Sequence, residues 1–303
     1  MGTPFLSTPH SIAEKDAVYG AIKKYLKVTT LSELEVVPWQ DLLAAYQVCD
    51  PKHAMGEQVM LDGEFINENW ADRFSFAENG KGEVMIGNTG AEGTCCTIVL
   101  QGGPTVEPKP STSTIVAALS SVAPTSKISP IFAAYGISPE STQSHIAASL
   151  LAITEDIMWY KAASDLSMQL RKCGTKVYEY SFEQLQPFTG PFKGIAGHSL
   201  DLAYLHGDPG IFSLCGEPEK ELAIQNSIQN AWITFANGEA PWEGGKTRVF
   251  GPDGKTVDFG SEEVLRSLRR GNAWENLAAL ALEELTGLAG VTVGFYGQLV
   301  GTG

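Results

Sequence analysis

The chain of 303 residues contains no C-x-x-C pair and no cluster of His with Cys. Its five cysteines, at positions 49, 95, 96, 173 and 215, are an odd number. Neither a zinc-ligand spacing nor a closed disulfide framework can be built from them. Basic residues are scarce, with 21 Lys and Arg against 35 Asp and Glu, a formal net charge of −14. Nucleic acids and anionic membrane surfaces select basic patches, so neither is expected as a partner. The acidic excess reads as a solvated surface that favours solubility. The N-terminus, MGTPFLSTPH, has neither the basic region nor the apolar core of a signal peptide. Leu6 stands where a myristoylation signal needs Ser or Thr. Long apolar runs are missing too: the weakly apolar stretch 285–300 is interrupted by Gly287, Gly290, Gly294 and Gly297 and does not qualify as a membrane span. A reduced, cytoplasmic protein is the expectation.

What is present suits a globular chain. At 43% hydrophobic and 18% charged residues, its 303 residues can bury a large core as one domain, or form two small ones. Periodicity predicts helices over 10–27 (Ile12, Val18, Ile22, Tyr25, Leu26) and 38–48 (Leu42, Leu43, Tyr46). Residues 56–79 read as mostly loop, followed by a short strand over 83–87. The Pro/Ser/Thr-rich stretch 102–114 reads as a flexible loop. Helices are expected at 115–121, 128–135 and 139–151, and most clearly at 155–172, where Trp159, Ala162, Leu166 and Leu170 share a face. KVYEYSF (176–182) alternates as a strand, and 183–197 is a Gly-, Pro- and Phe-rich loop. A helix over 218–236, a hairpin over 247–259 and a final helical region to about 286, interrupted near Gly271, complete the pattern. Few strands among many helices imply an α/β class with an incomplete sheet.

Five histidines are available for chemistry. His10, His53 and His145 stand among polar or helical residues, and His206 closes LAYLHG; all four read as surface groups. His198 sits in KGIAGHSLDLAYL, beside Gly197 and at the end of an aromatic-rich loop. Such a residue is either a surface or structural histidine or a base oriented by a carboxylate. A second conspicuous group is Glu92, a lone acid in the glycine-bordered turn GNTGAEGTCC after the apolar run Val84-Met85-Ile86. A carboxylate there is costly unless it is paired.

Several segments together resemble the type-B carboxylesterases, the α/β-hydrolase family that includes cholinesterases and fungal and bacterial esterases. VMLDGEFI (59–66) resembles the family's P-x-x-D-G-x-x-I/L stretch. VMIGNTGAEGT resembles the strand and turn presenting the triad acid, with Glu92 in the acid's place. GIAGHSLDLAYLHG resembles the loop of the triad histidine, matching His198 and the following acid Asp201. WITFANGEAPWEG (232–244) resembles the late W-x-x-F-A-x-x-G-x-P segment. The order, acid before histidine, is the one this fold requires. The resemblance covers about residues 10–260 and implies a shortened α/β-hydrolase with His198 as base and Glu92 as orienting acid. One domain over 1–303 is expected, with 261–303 as a C-terminal helical extension, bearing Trp274, Leu277, Leu280 and Leu285, and a tail. No metal or organic cofactor is implied.

The departures are as informative. No G-x-S-x-G occurs in the chain, and the family's oxyanion-hole glycines are missing as well. By the family's layout the sequence starts after the nucleophile's helix. Gly197-His198-Ser199-Leu200-Asp201 reads G-x-S-x-D, but a Pro/Gly loop precedes it, whereas an elbow serine needs a strand. Three functions follow as expectations. The chain is a carboxylesterase-type hydrolase of a small organic ester, its nucleophile on another polypeptide or lost through truncation. Alternatively, the Glu92–His198 pair serves elimination, isomerisation or cyclisation of a small metabolite, with Trp70, Phe188, Phe192 and Trp242 lining a pocket or packing in the core. In the third, it is an inactive remnant that dimerises. A homo-oligomer or a partner chain completing the sheet is expected in the first and third.

Overall fold

The computed structural model describes residues 9–50, 59–64, 66, 82–101, 106–207, 212, 215–260, 263–264, 268, 270–271 and 273–301. Most of the loop expected over 56–79, with Trp70, lies outside the described residues, as do His53 and positions 261–262. The chain forms two compact units, residues 1–74 and 75–303.

The smaller unit is built by well-capped helices. Ser11 and Glu14 form a reciprocal cap at the start of α1 (Ile12–Leu26): Glu14 N–H donates to Ser11 Oγ at 3.2 Å and Ser11 N–H to Glu14 Oε2 at 2.9 Å. Thr30 and Glu33 repeat the device for the short α2 (Leu31–Glu35). Pro38 then precedes α3 (Trp39–Cys49). Two short strands, β1 (His10–Ser11) and β2 (Met60–Leu61), pair in parallel.

The larger unit holds a four-stranded mixed sheet in the order β3-β4-β5-β6. β3 (Glu83–Thr89) runs parallel to β4 (Lys176–Phe182), with Thr89 opposite Phe182 at their carboxyl ends. Gly87 lets the two strands close up, because a Cβ there would lie 2.4 Å from the Tyr180 ring and carbonyl. Among the described residues, the regular structure in the crossover from β3 to β4 is all helical. It contains α4 (Thr94–Gln101), α5 (Thr112–Ser120), α6 (Thr125–Tyr135), α7 (Gln143–Glu155), a π-helical segment (Asp156–Lys161) and α8 (Ala162–Lys172). From β4 the chain reaches β5 (Lys246–Phe250) through α9 (Leu200–His206) and α10 (Pro218–Ala236), again in parallel. β6 (Thr256–Gly260) returns antiparallel as the expected hairpin. An aromatic core fills one side of this arrangement, including Tyr178, Phe182, Tyr204, Phe212, Trp242 and Phe250. Its buried acid Glu221 accepts hydrogen bonds from Tyr204 Oη and from Gln184 Nε2, as burial of a carboxylate demands.

Several boundaries differ from the sequence reading. The Pro/Ser/Thr stretch ends as a helix cap: Ser111 Oγ accepts from Thr114 N–H, so α5 begins at Thr112. α7 begins at residue 143 because Thr142 caps it, and helical backbone then continues through the π segment to residue 172. The glycine-interrupted tail is the largest correction. A 3-10 turn (Ala273–Ala279) leads into α11 (Leu282–Val300), a continuous helix that runs through all four glycines. Glycine costs a helix interior about 1 kcal/mol relative to alanine, and tertiary packing offsets it here. Leu285, Leu288, Ala289, Thr292, Tyr296 and Leu299 are buried, and Thr292 accepts a hydrogen bond from Thr154 of α7 at 2.9 Å. Leu277 and Leu280 are buried as well. Among the described residues no helix is long and apolar enough to cross a membrane.

Candidate active site

The carboxyl ends of β3 and β4 open into two loops that meet. Gly90 N–H donates to Phe182 O at 2.8 Å and Ala91 N–H to Ala196 O at 2.8 Å, while Ala91 and Gly197 form a parallel bridge. Gly90 leaves room for the Glu183 carboxylate, which would have to shift for any larger residue, since a Cβ there would stand 2.4 Å from Glu183 Oε2. Glu92 therefore leaves the strand end in a turn fixed on both sides. It is 3% exposed, and Oε1 accepts the Thr89 N–H at 2.7 Å.

The other oxygen, Oε2, meets His198 Nδ1 at 2.5 Å across 106 residues of sequence. The loop of His198 is tied to the same turn by its backbone: His198 N–H donates to Thr94 Oγ1 at 2.7 Å, and that hydroxyl donates to Ala91 O at 2.9 Å. The imidazole also rests against Trp159, with ring centroids 6.0 Å apart and planes at 65°. Its pKa is pushed up to about 10, first by a hydrogen bond with the Cys95 side chain and next by that with Glu92, against the opposing effect of burial. Nδ1 is committed to Glu92, which leaves Nε2 as the nitrogen able to exchange a proton with a ligand.

Behind the turn stands a group of residues absent from the sequence reading. Gly93 N–H donates to Glu155 Oε1 at 2.7 Å. Arg270 bonds Glu155 Oε2 at 2.7 Å and Asp156 Oδ1 at 3.0 Å through Nη2. Tyr135 Oη donates to Asp156 Oδ2 at 2.5 Å. The adjoining π segment is buried throughout and supplies Trp159 to the imidazole and Tyr160 to the strand end, Tyr160 Oη donating to Gly90 O at 2.9 Å. Extra residues of this kind inside a helix frequently mark functional sites. The sequence signal was Glu155-Asp156, two acids inside the otherwise apolar run SLLAITEDIMWY: buried charges need partners.

The remaining candidates are dispersed. Asp201 is buried in α9 and accepts from Tyr180 Oη at 3.1 Å, with burial raising its pKa. Ser199 precedes α9 with φ of +64°. The residues before it are loop and a single bridge, so no strand-to-helix elbow forms around it. His145 Nε2 bonds Gly136 O at 2.7 Å, His10 lies 3.8 Å from Glu14, and His206 is exposed at the end of α9. Trp242 is part of the aromatic core, 5% exposed, with Phe188 packed against that core, and Phe192 is half-buried in the loop before His198. Among the described residues no three His, Cys, Asp or Glu side chains converge as a metal-ligand set.

Known proteins place the fold. A family profile described as "Carboxylesterase family" matches residues 12–258. Among solved structures, a PNB esterase superposes with a TM-score of 0.62 at 19% identity, covering 86% of this chain and 54% of its own. Carboxylesterase EST55 of Geobacillus stearothermophilus gives a TM-score of 0.62 at 17% identity, covering 87% and 56%. An esterase from the anaerobe Clostridium hathewayi, whose title says it can hydrolyse aliphatic aromatic polyesters, gives 0.54 at 19% identity, covering 86% and 53%. No curated protein matches. The chain spans about half the length of these esterases, and its fold is the α/β-hydrolase fold in shortened form with an incomplete sheet. With the profile matching more than three quarters of its residues, the chain belongs to the carboxylesterase family.

Proposed function

We propose that this chain carries the acid–base machinery of an ester hydrolase acting on a small organic ester, with His198 as general base and Glu92 as orienting acid. The supporting observation is the 2.5 Å contact between Nδ1 and Oε2, made by a carboxylate whose other oxygen is held by Thr89 N–H. A carboxylate fixed in this way selects the tautomer with the proton on Nδ1 and stabilises the imidazolium once Nε2 takes a second proton. In its neutral form, which a pKa raised to about 10 makes the major one only in alkaline solution, the ring accepts that proton at Nε2 from the attacking group and returns it to the departing alkoxide, a service worth roughly a hundred- to ten-thousandfold in rate.

A second reading has a sequence observation in its favour. No G-x-S-x-G is present, and an oriented imidazole can move a proton in an elimination, isomerisation or cyclisation without any covalent intermediate. We also propose that a partner chain or second copy pairs with β3. That strand ends the sheet order, and its first six residues are only half-buried, whereas unpaired edges are generally protected.

Hydrolysis of p-nitrophenyl acetate tests the first reading. The wild-type chain is expected to turn the ester over, and His198→Ala to lower kcat/KM about a hundredfold or more, with circular dichroism unchanged. Equal rates in the two proteins, or no turnover by the wild type, would sink it.

A further inference from the structure

The backbone of Glu92 is held as well as its carboxylate. The amide that follows it, Gly93 N–H, donates to Glu155 Oε1 at 2.7 Å, and the carbonyl of the same peptide group, Glu92 O, accepts from Cys95 N–H at 3.1 Å. Both polar groups of that peptide are engaged, so its plane cannot turn without breaking one of the two bonds. The approach requires a glycine: a Cβ on Gly93 would stand 2.7 Å from Glu155 Oε1 and 2.7 Å from Leu151 Cδ1, one turn earlier on α7. Glu155 is buried at the end of α7, and its other oxygen accepts from Arg270 Nη2 at 2.7 Å. Each carboxylate oxygen thus faces one donor. A hydrogen bond to an ionised acceptor is roughly twice as strong as one between neutral groups, and Arg270 opposes the burial that pushes Glu155 towards its protonated form. The residues that follow reach the same site twice more. Trp159 lies against the imidazole, and Tyr160 Oη donates to Gly90 O at 2.9 Å.

We propose that Glu155 is a positioning residue of the Glu92–His198 pair: it fixes the Glu92–Gly93 peptide and so the direction from which the Glu92 carboxylate meets Nδ1. The proposal rests on the reading of Glu92 and His198 given above. Glu155 acts through the Gly93 amide rather than on the reacting atoms. With that bond broken, the peptide is free to rotate and the Glu92 carboxylate swings off its line to Nδ1. The imidazole follows, and Nε2 leaves the place where it exchanges a proton. A displacement of about 1 Å costs about a hundredfold in rate. Such a loss falls on kcat, because the contacts that hold the rest of a substrate are untouched.

Two substitutions separate reach from charge. Glu155→Asp keeps the negative charge beside Arg270 but is a methylene too short to span Arg270 and Gly93. Glu155→Gln keeps the length, but its single amide oxygen cannot serve two donors. With p-nitrophenyl acetate, both are expected to lower kcat about ten- to hundredfold, with KM changed less than about twofold. By NMR, both should lower the titration midpoint of the His198 imidazole from about 10, as its bond to Glu92 loosens. Asp156→Asn is the control, since it also takes a carboxylate from Arg270 but leaves the Gly93 bond in place. It should unfold more easily than the wild type and keep both kcat and midpoint. If Glu155→Asp keeps the wild-type kcat and midpoint, or if Asp156→Asn loses as much, the proposal is overturned. Glu155→Gln decides in the same way if the shorter side chain unfolds the protein. If the wild type turns over no ester, the reading of Glu92 and His198 fails and the midpoint alone decides: lowered in Glu155→Asp it supports the positioning role, unchanged it overturns that as well.

Discussion

The imidazole of His198 faces Glu92 from the β3–α4 turn, Cys95 from α4 and Asp201 from α9, with the uncharged ring of Trp159 against it from the π segment. Cys95 and Glu92 raise its pKa from 6.5 to about 10, against the opposing effect of burial. A histidine whose folded pKa is raised contributes stability that is fully present below its unfolded value and is lost as pH rises through the folded one. The difference in unfolding free energy between the wild type and His198→Ala should therefore be constant below about pH 6.5 and shrink towards pH 10. Urea titrations at a series of pH values check this; a difference that grows with pH would contradict the assignment. Cys95 is the first cause of the shift, so Cys95→Ala should lower the imidazole midpoint seen by NMR.

Elements fold here in ways that residue periodicity reports unevenly. KVYEYSF became β4 with the expected bounds, and the helix over 218–236 did too, because each pairs one pattern with clear stops. α11 was illegible as a helix, since its four glycines look like breaks until a neighbouring surface is there to pack against. An added Cβ would reach a side chain at contact distance at two of them, Gly287 at Val122 (3.4 Å) and Gly297 at Leu100 (3.5 Å), whereas one at Gly290 meets nothing within 4 Å. Gly290→Ala should accordingly stabilise the protein by about 0.5–1 kcal/mol, through helix propensity and a less flexible unfolded chain. Gly87→Ala should destabilise it, because its Cβ would overlap the Tyr180 ring and carbonyl in the β3–β4 pairing. Thermal unfolding of both variants compares the two signs directly. The π segment was equally hidden, as nothing local distinguishes it from the α-helices it joins.

At the scale of the whole molecule, distant segments stabilise one another through buried charge. Arg270 reaches 115 residues back to Glu155 and 114 to Asp156, and Glu155 in turn holds Gly93 beside Glu92. Burial pushes Glu155 towards its protonated form and Arg270 opposes this. Arg270→Ala would leave two buried carboxylates without their cation. The expected loss is about 2–3 kcal/mol, below the usual figure for breaking a buried pair because the guanidinium is itself partly exposed. Chemical denaturation measures the loss, and an unchanged midpoint would show that the network does not support the turn.

Sequence by itself determined the class, the family resemblance and the two residues of the proposed dyad. Glycine-bordered turns and alternating strands are local, and Glu92 and His198 each stand in a short recognisable segment. Only the tertiary structure decided that these segments touch, because a contact between residues 106 apart depends on the register of β3 against β4 and on the backbone bonds joining their loops. It also decided what surrounds the imidazole. The Cys95 side chain, Trp159 and the Arg270–Glu155 network come from three different places in the chain, and a hydrogen bond or a ring contact exists only once folding has removed the water between its partners.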